Sequence, residues 1–177
     1  MLNILVVCDH KASRETLCRL LTAQPFFHVM AACADTYAAI AITGRQQPDI
    51  VFIDGSTDPH AAVEATKKIM LVSTAGIIAL SRQADAGFAA NMLAAGALGY
   101  LTGHSSDIEV ITAIEEVSKD NLYCCLETKH LPVQTPVPTP ERLSSFKKSI
   151  ASLRDNTRKK INEAAGFHWH GILKFTN

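Results

Sequence analysis

Two carboxylates stand where the sequence changes character. Asp54 closes the apolar run Ile50-Val51-Phe52-Ile53, and Asp9 comes just after the run Ile4-Leu5-Val6-Val7. If the fold brings both run ends to one edge, the pair can hold a hard cation such as magnesium, which takes oxygen ligands and tolerates a sparse protein shell. A carboxylate in such a place also has a plainer use, capping the helix that follows. Cys8, between Val7 and Asp9, invites a redox reading. Neighbouring carboxylates raise a thiol's pKa and suppress the reactive thiolate, so a small strand-end residue is expected instead. His168-Trp169-His170 has no Cys or carboxylate at metal-site spacing and reads as tail packing. With no Gly-rich phosphate loop, no zinc motif and no prominent Ser-His-Asp order, intrinsic enzyme activity is not expected.

The elements that must position these residues follow from periodicity. Short β-rich apolar runs at Asn3 to Cys8, Phe27 to Cys33, Asp49 to Asp54, Gly76 to Leu80 and Leu98 to Leu101 alternate with amphipathic stretches. Those stretches are Ser13 to Leu21, Tyr37 to Arg45, Ala61 to Met70, Ala86 to Ala95 and Ser106 to Val117. Continuous runs such as Ile4 to Val7 and Ile50 to Ile53 are too apolar for a strand with a wet face, so helices should cover both sides. The pattern predicts an α/β fold, a doubly wound five-stranded parallel sheet. Right-handed crossovers gather the strand C-terminal ends on one edge, where such sheets bind ligands. Cys8, Asp9, Asp54, Ser81 and Gly103 should lie at or near it.

With 177 residues, 47% of them apolar and 19% charged, the chain can bury one ordinary core and carry an appendage. No apolar run reaches the roughly 18 residues of a membrane span, and Met1 to Cys8 lacks the features of a signal peptide, so a cytoplasmic protein with no membrane contact is expected. The five cysteines, an odd number without regular spacing, are expected as free thiols. The formal charge of zero hides an asymmetry: 9 Lys and Arg against 14 Asp and Glu through residue 132, then 8 against 3. Residues 127–140 hold four prolines and read as a semi-rigid linker between a domain at 1–126 and a short basic helical tail at 141–177. In the tail, Leu143, Phe146, Ile150, Leu153, Thr157, Lys160 and Ala164 follow a 3-4 spacing, one seam of a C-terminal helical extension that weakens after two heptads.

Four stretches resemble the receiver domains of two-component response regulators. Ile4-Leu5-Val6-Val7-Cys8-Asp9-His10 is similar to the opening strand and its acidic pair, and Pro48-Asp49-Ile50-Val51-Phe52-Ile53-Asp54 to the strand ending in the phosphoacceptor aspartate. Ile77-Ile78-Ala79-Leu80-Ser81 is similar to the strand carrying the switch hydroxyl, and Ala94-Ala95-Gly96-Ala97-Leu98-Gly99-Tyr100-Leu101 to the segment leading to the switch aromatic. The resemblance implies a flavodoxin-like receiver in which Asp54 accepts a phosphoryl group, Asp9 and Asp54 bind magnesium, Ser81 closes on the phosphoryl oxygen and Tyr100 turns inward. It also exposes departures. Cys8 stands at the first acidic position and Gly103 at the lysine position, so one charge of the metal site and the cation that couples phosphoryl group to switch are both gone. Thr57-Asp58 replaces the usual Met-Pro after the acceptor, with Pro59 displaced by one. Arg82 and His104 are the substitute cations within the sequence neighbourhood, though each is equally a surface residue.

The resemblance further implies a sensor histidine kinase as partner, a homodimer, and transcriptional control. Thr139-Pro140-Glu141-Arg142 is faintly similar to the start of a LuxR-type DNA-binding domain, but the 38 residues from Pro140 to Asn177 are too few for its four helices. Arg154, Arg158, Lys159 and Lys160 are the candidates for contact with DNA phosphates, or else a solvated helix face. Two functions are therefore expected to compete. One is an atypical response regulator with weakened or absent phosphorylation at Asp54; the other is a pseudo-receiver that dimerises or docks partners without binding DNA.

Overall fold

The structure, a computed structural model, describes residues 1–125 and, further on, Ser152, Asp155, Asn156 and Lys159, each helical and exposed. Strands and helices alternate strictly. β1 (Leu2–Val7), β2 (Phe27–Cys33), β3 (Ile50–Asp54), β4 (Gly76–Ser81), β5 (Gly99–Thr102) and β6 (Tyr123–Cys124) are separated by α1 (Lys11–Thr22), α2 (Thr36–Gln46), α3 (Pro59–Val72), α4 (Ala86–Ala95) and α5 (Asp107–Ser118). All six strands run parallel, in the order β2-β1-β3-β4-β5-β6.

The hydrophobic pattern dictates this order. Ile4 to Val7, Ile50 to Ile53 and Ile77 to Ala79 are all buried, so the three strands that carry them take the middle of the sheet, covered on both faces. β2, with His28 and Ala32 exposed, takes an edge. The strand order reverses between β1 and β3, and at such a switch point two neighbouring strand ends leave a crevice between diverging loops. Asp54 ends one of these strands, and Cys8 and Asp9 follow the other.

The helix starts are local and self-sufficient. His10 caps α1, Asp35 caps α2, Asp58 caps α3, Asp85 caps α4 and Ser106 caps α5 through a capping box with Glu109. Neither Asp9 nor Asp54 is a cap, so the plainer use for both carboxylates is already filled by other residues. At the far end of α4, Gly96 turns the chain with φ +116°, a left-handed conformation that glycine adopts without a steric cost.

The five-stranded expectation is corrected by one strand. After α5 the chain returns to the free edge of β5, where Tyr123 pairs with Gly99 and Cys124 with Tyr100. Two residues are too few to show a period, and nothing in their composition distinguishes a strand from the approach to a linker. The Pro-rich linker at 127–140, the seam from Leu143 to Ala164 and the tail around Trp169 lie outside the described residues, apart from the four tail residues named above.

Candidate functional site

At the C-terminal edge of β1 and β3, the Cys8 sulfur and one carboxylate oxygen each of Asp9 and Asp54 lie within 4.8 Å of one another. Cys8 is buried, Asp54 half-buried and Asp9 exposed, so the cluster grades from protein interior to solvent over three side chains. The Cys8 thiol donates to Asp54 Oδ2 at 3.0 Å and leans toward the His10 carbonyl at 3.4 Å. Burial, the hydrogen bond to Asp54 and the charge of that carboxylate push the thiol up to about 12. A thiol so held is a poor nucleophile, and burial contributes more to this than the neighbouring carboxylates that the sequence pointed to.

Asp54 is fixed from its other side, where Oδ1 accepts from the Ser56 backbone N–H at 2.8 Å. Behind Asp9, the Arg14 guanidinium donates to the carbonyls of Cys8 at 2.6 Å and Asp9 at 3.3 Å, so the backbone bearing two of the three donors is tied to α1. An open crevice of about 400 Å³ beside the cluster is lined by Cys8, Asp54, Ser56, Ser81, Arg82, Thr102 and Gly103, among others.

Ser81 reaches this crevice, but its hydroxyl donates to the Gln83 carbonyl at 2.7 Å. Tyr100 is fully buried. Its hydroxyl accepts from the Asp85 N–H at 3.0 Å and donates toward Gln83 O at 3.4 Å, while its ring meets Phe88 edge-on at 6.3 Å. Gly103 is exposed at the crevice, and a Cβ there would stand 3.0 Å from the Arg82 carbonyl. Arg82 lines the crevice and is exposed; His104, also exposed, does not line it. Of the four nucleic-acid candidates, Lys159 is exposed on a helix, and Arg154, Arg158 and Lys160 lie outside the described residues.

The magnesium expectation meets a mixed donor set. Two carboxylates suit a hard cation; a neutral thiol does not. Asp9 and Asp54 thus fit magnesium and Cys8 disagrees with it.

Local spacing could not reveal the loop groups that occupy the switch residues, namely Gln83 O and the Asp85 N–H. Nor could it reveal the fit of Phe88 over Gly55, where a Cβ would come within 2.1 Å of the ring. Both hydroxyls meet the β4–α4 loop, whose course leaves no periodic trace in sequence; the one available signal was glycine immediately after Asp54.

A parallel sheet with a carboxylate cluster at its switch point defines the receiver class, and comparison with known proteins bears this out. Residues 4–115 match the response regulator receiver domain, and the chain belongs to that family. It is similar to the transcriptional regulatory protein DegU of Brevibacillus brevis, 27% identical over 130 residues, 73% of this chain and 55% of that protein. It is similar also to the transcriptional regulatory protein LiaR of Bacillus subtilis (strain 168), 31% identical over 120 residues, 67% of this chain and 57% of that one. Among solved structures, a LuxR-family two-component response regulator from Aurantimonas sp. SI85-9A1 superposes with a TM-score of 0.65 at 31% identity, covering 70% of this chain and 89% of that one. The chain spans little more than half the length of the two curated relatives. Among the described residues no helix is long and apolar enough to cross a membrane.

Proposed function

We propose that this protein is an atypical response regulator of a two-component-type pathway, cytoplasmic and without enzyme activity of its own, in which phosphorylation of Asp54 is weakened or absent. The observation that carries the reading is the Cys8 thiol bonded to Asp54 Oδ2 at 3.0 Å, where receivers place an acid. In-line phosphoryl transfer needs cations to neutralise charge on the transferring oxygens. Here Asp9 and Asp54 are the remaining ligands of a weakened magnesium site, and Gly103 offers no ammonium. Ser81 and Tyr100 keep the switch positions, with the serine hydroxyl spent on Gln83. Output runs through protein association as a homodimer, with a sensor histidine kinase upstream and transcriptional control downstream. The tail beyond a receiver at 1–126 and a linker at 127–140 contacts DNA through Arg154, Arg158, Lys159 and Lys160. The second reading, a pseudo-receiver that docks partners without DNA, is favoured by the same Cys8 bond.

The test is incubation with magnesium and acetyl phosphate, followed by intact mass, with Asp54→Asn as control. Wild type should gain a phosphoryl mass at least tenfold more slowly than the double variant Cys8→Asp, Gly103→Lys, or not at all. Wild-type labelling as fast as in the double variant, and lost in Asp54→Asn, would overturn the reading. A Cβ at 103 would stand 3.0 Å from the Arg82 carbonyl oxygen, so the lysine requires that backbone to yield by a few tenths of an ångström, and circular dichroism verifies that the double variant folds.

A further inference from the structure

The sulfur among the three donors changes which ion the cluster suits. Magnesium demands oxygen ligands in a near-octahedral shell at about 2.0–2.1 Å, whereas zinc-class ions accept thiolate at about 2.3 Å with carboxylate at about 2.0–2.2 Å in a tetrahedron. A tetrahedron of those bond lengths has sulfur–oxygen edges of roughly 3.5 Å. Cys8 Sγ stands 3.0 Å from Asp54 Oδ2, and all three donors lie within 4.8 Å of one another, so side-chain movement that brings exposed Asp9 inward makes them one face of such a shell. Cys8 and Asp54 line the open crevice and Asp9 is exposed, so the fourth vertex faces solvent. We propose that Cys8, Asp9 and Asp54 form a site for a borderline divalent transition ion of the zinc class in preference to magnesium, with Cys8 the ligand that sets the choice. The inference rests on the receiver reading for the place of the pocket and is independent of whether Asp54 is phosphorylated.

Two features beyond the donors support it. The thiol is aimed into the cluster rather than into the core: its hydrogen bonds go to Asp54 and the His10 carbonyl. The backbone of Cys8 and Asp9 is held in place by Arg14, the sort of outer support that orients ligands before a metal arrives. The chemistry balances without an oxidant. The ion displaces the Cys8 proton to solvent, a metal–sulfur bond forms as the S–H bond breaks, and no oxidation state changes. Because a proton is released, uptake strengthens as pH rises. Soft thiolate selects zinc and its neighbours over magnesium, so a residue that weakens the magnesium site gives the same pocket a different ion.

Cobalt(II) titrated into the full chain, reduced and free of chelating thiols, reads the proposal directly, since thiolate bound to cobalt gives a near-ultraviolet charge-transfer band. The band should saturate at one equivalent, fall when zinc is added, and survive a hundredfold excess of magnesium. Cys8→Ser should abolish it although four other cysteines remain. Asp54→Asn, which leaves the sulfur in place, should weaken cobalt binding by about tenfold or more. Cys8→Asp should remove the band and raise magnesium affinity about tenfold by calorimetry. Circular dichroism verifies that each variant is folded. Absence of the band in wild type, its persistence in Cys8→Ser, or its displacement by equimolar magnesium would each overturn the proposal. Phosphorylation is read separately by mass, so a missing phosphoryl adduct leaves this outcome untouched.

Discussion

Cys8 is where sequence and chemistry part company most clearly. As a residue type it counts as a small hydrophobe, and it is indeed buried, but its sulfur faces two carboxylates rather than the core. Its thiol is raised to about 12 from an ordinary value of 9.0, so the folded state holds this proton more tightly than the unfolded chain does. A raised value of this kind contributes stability that is fully present below pH ~9 and is lost as pH climbs toward 12. Denaturation midpoints measured from pH 8 to 11 should therefore fall more steeply for wild type than for Cys8→Ser; parallel curves would mean the thiol proton plays no part in alkaline stability. Buried Tyr100, whose hydroxyl is also raised by desolvation, is common to both proteins and cancels in the comparison. The pairing of Asp9 with Asp54 was legible from two apolar runs that each end near a carboxylate. The bond from Cys8 to Asp54 was not, because it depends on the register of β1 against β3.

Among elements, the joint between the β3–α3 loop and α4 is governed by one complementary fit. Gly55 leaves a notch that the Phe88 ring fills so closely that an added Cβ would lie 2.1 Å from it. Phe88 also packs edge-on against Tyr100, so the β3–α3 loop, α4 and β5 converge on one ring. Gly55→Ala should lower stability by about 1–3 kcal/mol through overpacking, and Phe88→Ala by about 3–5 kcal/mol through the cavity left behind. The double variant Gly55→Ala, Phe88→Ala should cost less than the sum of the two single changes, since removing the ring relieves the clash. Urea midpoints would measure all of these; strict additivity would show that ring and notch do not bear on one another. The helices themselves were readable from amphipathic spacing because each carries its own cap, as Asp58 and Asp85 do. β6 was not, since its strand character comes from β5 rather than from Tyr123 and Cys124.

For the whole molecule, charge is divided along the chain: 9 basic against 14 acidic residues through residue 132, and 8 against 3 beyond it. A basic segment that neutralises phosphates releases counterions, so its affinity for DNA falls as salt rises. The full chain should be retained on duplex DNA at about 50 mM salt and released by about 200 mM. A chain ending at residue 132 should not bind at either concentration. Retention unaffected by truncation would move any DNA contact to the receiver, and failure of the full chain to bind would favour the docking module; sedimentation of the truncated chain would then show whether the dimer went with the tail. The parallel sheet covered on both faces and the edge that holds the pocket were visible in sequence, since the continuous apolar runs demanded burial; the order of the strands was not, because it depends on which run pairs with which. How the tail is used was not, because a run such as Arg158-Lys159-Lys160 suits phosphate contacts and a plain solvated helix equally.

β6 also has a mechanical side. It runs parallel to β5 and is fastened by the Tyr123 N–H to the Leu98 carbonyl and the Cys125 N–H to the Tyr100 carbonyl, each at 2.9 Å. β6 therefore points toward the same edge of the sheet that holds the carboxylates, and its last bond is to the backbone of Tyr100. A load on that strand would fall first on these two bonds, beside a ring already anchored to the β4–α4 loop.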